Sequence, residues 1–120
     1  MRDHNKLIAF QLADELAIEI YQITNHFPKE ELFGLTSQMR RAAVSVASNI
    51  VEGCARESQS EYVRFLEIAF GSLKELHYQY TLAFRLGFVK EIKNEINVQK
   101  FNEAEKVLAS LIRTFRNPKS

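Results

Sequence analysis

Polar side chains recur between Gln38 and Glu75 at places where a packed helix would carry apolar ones. In the run QMRRAAVSVASNIVEG, at about 100° per residue, Gln38, Arg41, Ser45, Ser48, Asn49 and Glu52 fall on one narrow helix face. Met39, Ala43, Val46, Ala47 and Ile50 fall on the opposite one. The stripe is built from small hydrogen-bonding groups rather than lysines, which suits contact with protein or another polar surface better than plain solvation. Glu52 and Glu75 are the candidates for paired-carboxylate chemistry, with Arg40 or Arg41 as charge partner. The same residues equally make a salt-bridged network between two helices, and that reading is preferred. Arg40 falls toward the apolar flank beside Ala47 and Val51, so it requires an acidic partner or an exit to solvent; Glu75 is the expected partner.

Other chemistries find little material. His4, His26 and His77 are scattered, none lies three or four residues from another, and the Glu-x-x-His pairs of di-iron bundles are absent. No Walker loop, dinucleotide glycine pattern or nucleophile elbow occurs, and Gly71-Ser72 sits inside a helical pattern where it cannot cradle a phosphate. Cys54 is the only cysteine and has no motif around it. Tyr62, Tyr78 and Tyr80 could suggest a base-stacking platform, but they point in different directions around a helix and read as packing residues. No catalytic residue, metal ligand or cofactor is expected, and the chain reads as a non-enzyme.

The residues that must position this stripe belong to helices. A chain of 120 residues is expected to form one domain, residues 1–120, since halves of it could not bury adequate cores. Only four Gly and two Pro leave little for sheet turns. The first helix is predicted over about 6–26, stopped by Phe27-Pro28, with an apolar arc of Phe10, Leu12, Leu16, Ile20, Ile23 and Tyr21 wider than one core stripe requires. The second spans about 36–55, with Gly53 near its stop. Ser58 and Glu61 form a capping box that starts a third helix over about 59–86, ended by Gly87. Gly71, inside it, is expected to mark a close helix contact. Between Phe88 and Asn97 the pattern is irregular, and a fourth helix follows over about 97–116, closed by Asn117-Pro118. The expectation is all-α: an antiparallel up-down four-helix bundle.

Charge is nearly balanced at +1, but the first sixty residues hold six Lys or Arg against eight acids and the last sixty ten against seven. Beyond Glu105 no acid follows, while Lys106, Arg113, Arg116 and Lys119 do. Cations at a helix C-terminus complement its dipole, and the same four residues could engage phosphates. No apolar run approaches the roughly 20 residues that span a bilayer. The N-terminus lacks the apolar core of a signal peptide, so a cytoplasmic protein without membrane contact is expected.

Together QMRRAAVSVASNIVEG and SEYVRFLEIAFGSLKEL, preceded by FPKEELFGLTSQ, resemble the 23S rRNA intervening-sequence protein family, also called the four-helix bundle protein family. The resemblance covers about residues 7–88 strongly. It implies a bacterial cytoplasmic bundle of unassigned molecular role, with members that assemble as ring-like homopentamers. The family is also similar to the accessory variability determinant of diversity-generating retroelements, a pentameric bundle that binds nucleic acid and a reverse transcriptase. Gln38, Arg41, Ser45, Asn49, Glu52, Gly53, Gly71, Ser72 and Glu75 match the family pattern and read as signature positions of fold and assembly. Near-neutral charge departs from a strong nucleic-acid binder. Two functions therefore compete: a self-assembling, RNA-associated accessory protein, and a protein-interaction scaffold that binds no nucleic acid. The surplus apolar arc of the first helix favours a homo-oligomer in either case.

Overall fold

Asp3 opens the chain's first ordered turn by accepting the Asn5 N–H at 3.0 Å, and a 3₁₀ turn over His4–Lys6 follows. Leu7 then takes an extended conformation, so the first helix, α1, begins at Ile8 rather than at the predicted Lys6 and runs to Thr24. α2 spans Leu35–Cys54, α3 Gln59–Arg85 and α4 Glu91–Arg116. The computed structural model describes residues 2–89 and 91–116, with the side chains of α4 described from Val98 onward. The expected closure at Asn117-Pro118 and the candidate Lys119 lie outside the described residues. Among those described there is no strand.

The helix ends follow local chemistry. Ser58 accepts the Glu61 N–H at 3.1 Å, the hydroxyl half of the predicted capping box; a return bond from Glu61 to the Ser58 N–H is not formed among the described residues. Ser58→Ala should therefore lower the unfolding free energy by about 1 kcal/mol in a urea titration. At the far end of α3, Gly87 takes φ +83°, the Phe88 N–H bonds the Ala83 carbonyl at 2.9 Å and the Gly87 N–H bonds the Phe84 carbonyl at 3.0 Å. This is a Schellman stop. α4 starts six residues before the predicted position. EIKNEIN contains no Gly or Pro, so nothing there stops a helix even though its apolar pattern is irregular.

Packing is cyclic: α1 lies against α2 and α4, and α3 against the same two, with no contact across the diagonals. Neighbours run antiparallel. Ser45 meets Ser72 and Gly53 meets Phe65 across α2 and α3, while Gln59 reaches the Phe115 carbonyl and His77 stacks on Phe101 across α3 and α4. Leu16, Ile20, Met39, Ile50, Leu66, Leu73, Leu76, Tyr80, Phe101 and Leu108 fill the centre. Two glycine expectations change. Gly53 does not stop α2 but lies within its last turn, buried, where an added Cβ would come 2.9 Å from Phe65 Cβ and 3.3 Å from the Tyr62 carbonyl oxygen. Gly71 is exposed and an added Cβ would meet nothing within 4 Å, so it marks no close contact inside the chain. The helix approach belongs to Gly53.

Where α2 meets α3, burial pushes the Tyr62 phenol from 10 up to about 12, helped by the neighbouring Cys54 thiol, which burial also pushes up. The folded state thus holds the Tyr62 proton more firmly than the unfolded chain does. Its contribution to stability is complete below pH 10 and decays as pH rises through about 12. The stability of the native protein relative to Tyr62→Phe should fall by about 2–3 kcal/mol over that window, measured by denaturant titration at each pH.

Candidate functional site

The polar stripe of α2 does not lie free in solvent. One edge faces α3, where Gln38, Arg41, Ala42, Ser45, Ser72 and Glu75 line a cleft of about 190 Å³. The Ser45 and Ser72 hydroxyls share a hydrogen bond at 2.8 Å, and Asn49 Nδ2 donates to the Ser45 carbonyl at 2.8 Å and to its Oγ at 3.1 Å. Gln79 Nε2 donates to Glu75 Oε2 at 3.3 Å, while Gln79 Oε1 is buried with no hydrogen-bond partner. Six of the nine signature positions thus converge: Gln38, Arg41, Ser45, Asn49, Ser72 and Glu75. Gly53 sets the helix approach below them, and Glu52 and Gly71 are exposed.

The expected salt-bridged network is absent. Among the described residues no ion pair joins α2 to α3, and Arg41 and Glu75 line the same cleft without pairing. Arg40 turns the other way. Its Nε donates to Thr24 Oγ1 at 2.8 Å, its NH2 donates to Asn25 Oδ1 at 3.0 Å, and its guanidinium lies 4.8 Å over the Tyr21 ring. A step of one residue rotates a side chain by about 100°. Arg40 therefore faces α1 while Arg41 keeps the α3 edge, and neutral acceptors rather than Glu75 satisfy it.

The other edge of α2 is apolar. Tyr21, Leu32, Phe33, Thr36 and Val44, with both arginines, border a groove of about 700 Å³. Phe33 is 92% exposed, and Tyr21, Leu32 and Val44 are exposed as well. Periodicity gave no sign of Leu32 and Phe33, because they belong to the connection rather than to a helix. Ile8 and Ile18 add exposed apolar surface to α1, as its broad arc anticipated.

At the basic end the candidates divide. Lys106 and Arg113 are exposed on one edge of α4, and Lys106 shares a groove of about 690 Å³ with Lys6, Ile8 and Val107. Arg116 is paired with Glu67 of α3, so it is not a free cation. Lys6 was missed by sequence reasoning, as was the nearby set in which Arg2 lies 4.0 Å over Tyr62 and Arg56 lies 4.7 Å over Phe65. Residues so far apart in the chain carry no joint signal. His77 is held by Glu105, with Nδ1 2.6 Å from Oε2, and is stacked on Phe101 at 4.7 Å. Lys100 of α4 pairs with Glu19 of α1, which raises the lysine's affinity for its proton. Among the described residues no three His, Cys, Asp or Glu side chains gather as a metal site, and no helix is long and apolar enough to cross a membrane.

The fold and this surface define a class: an all-α protein of four helices whose distinctive groups line a cleft and a groove on either side of its second helix. Residues 5–110 match the model of the 23S rRNA-intervening sequence protein family, and the chain belongs to that family. A crystal structure of a Bacteroides thetaiotaomicron protein of unknown function, from the S23 ribosomal protein family, has the same fold. Its TM-score is 0.81 at 24% identity, over 89% of this chain and 96% of that one. No curated protein matches the chain.

Proposed function

We propose that this protein is a non-catalytic, self-associating bundle of the cytoplasm that serves as an RNA-associated accessory protein. The observation that carries the self-association is the apolar groove beside α2 with Phe33 almost wholly exposed at its rim. A bundle of this size buries its core with one stripe per helix, and a contiguous exposed patch of aromatic and aliphatic groups marks a contact surface. A ring of five copies is the arrangement suggested by the resemblance of the paired α2 and α3 motifs. The polar cleft beside the groove supplies hydrogen-bonding groups, including unpaired Arg41, that give such a contact its register.

The RNA part of the reading rests on the family's name and on exposed Lys6, Lys106 and Arg113. One copy offers few phosphate contacts, but several copies on one body would multiply avidity by roughly 10²–10⁴ where geometry permits simultaneous engagement. Fluorescence anisotropy with a labelled single-stranded RNA tests it. Affinity should fall steeply with salt, and replacing Lys6, Lys106 and Arg113 by Gln should weaken it and flatten the salt dependence. The pairing of Arg116 with Glu67 favours the second reading, a scaffold that binds no nucleic acid. Equal binding by the Gln variant, or no binding at about 50 mM salt, would establish the scaffold instead.

A further inference from the structure

Two apolar patches remain exposed at the same end of the bundle, on different sides of it. The first is the corner between α1 and α2, where Phe33 stands out beside Leu32. The second is the outward edge of α3, where Tyr78, 61% exposed, and Leu86, also exposed, are followed through half-buried Leu82 at intervals of four residues and so share one face. Phe27 and Phe88 touch with ring centroids 5.4 Å apart, which ties the segment before Phe33 to the segment after Leu86 and sets both patches at one height. Their directions differ because the first borders α1, which makes no contact with α3. Their flanking charges are opposite. Exposed Glu30 precedes the first patch and exposed Arg85 adjoins the second, and among the described residues neither is ion-paired within the chain.

A closed ring of more than two copies requires two unlike patches on each copy, one for each neighbour. The patches must also sit at a common height, or the repeat climbs into a filament. We infer that the Leu32 and Phe33 corner of one copy packs on the Tyr78 and Leu86 edge of a second copy of this chain, with Glu30 facing Arg85. This assignment rests on the self-association reading and specifies its surfaces: the contact is heterologous, and each chain uses both patches.

Complementation of two defective chains tests it. One variant carries Phe33→Ser, the other Tyr78→Ser with Leu86→Ser; all three side chains are exposed, and an unchanged circular dichroism spectrum and unfolding midpoint verify each fold. At a micromolar concentration where the native protein assembles, each variant alone should sediment as a monomer. An equimolar mixture should form heterodimers and stop there, because one intact pair of patches is available. Charge exchange gives a second reading: Glu30→Arg and Arg85→Glu should each weaken assembly several-fold, and together in one chain restore it. The inference is overturned if the α3 variant assembles like the native chain, or if the mixture stays monomeric. A native protein that is itself monomeric would remove the underlying reading as well, so the two failures are distinct.

Discussion

Gly53→Val should lower the unfolding free energy by about 3 kcal/mol, at the upper end of what overpacking costs, because the new side chain has nowhere to go. Even a bare Cβ at this position would come 2.9 Å from Phe65 Cβ and 3.3 Å from a backbone oxygen of α3, and a helix backbone cannot yield as a side-chain tip does. Gly53→Ala should also destabilise, by less, since helix propensity returns up to about 1 kcal/mol of the loss. Gly71→Ala should do the reverse. Its Cβ meets open space, so a monomeric bundle gains about 1 kcal/mol of propensity. Urea titrations of the three variants decide the matter, and a Gly53 variant as stable as the native chain would place α2 and α3 in a different register.

Phe33→Ser should raise the dissociation constant of the assembly by roughly 30-fold or more while leaving the unfolding midpoint of the separated subunit unchanged. An aromatic anchor at the centre of a contact is worth about 2 kcal/mol or more when removed. A residue 92% exposed contributes almost nothing to the core of its own chain. A dilution series followed by mass photometry reads the first effect, and a thermal scan at low concentration reads the second. Loss of subunit stability without loss of assembly would assign Phe33 to the fold instead.

Periodicity made most of the architecture legible, since the four apolar arcs and the stops at Pro28 and Gly87 carry direct local meaning. It could not supply the facing of each residue toward a particular neighbour. Arg40 and Arg41 are adjacent in sequence yet serve different helices, and the choice between Thr24 and Glu75 as partner depends on which helix lies at which side. Gly53 and Gly71 look alike as interruptions of a helix; only the packing shows that one meets α3 and the other meets solvent. The early start of α4 was hidden because EIKNEIN is polar enough to blur the pattern but contains no breaker. Among the basic candidates, Lys106 and Arg113 are presented as expected, whereas Glu67 takes Arg116 from almost fifty residues away. Phe33 lay in a connection, where apolar residues have no period to betray their exposure.

Self-association through the surface around α2 is the central claim, and sedimentation velocity of the native protein over a range of micromolar concentrations measures it most directly. The account predicts a discrete assembly, larger than a dimer, that dissociates on dilution to a 13.9 kDa species without unfolding. A single 13.9 kDa species at every concentration would contradict it.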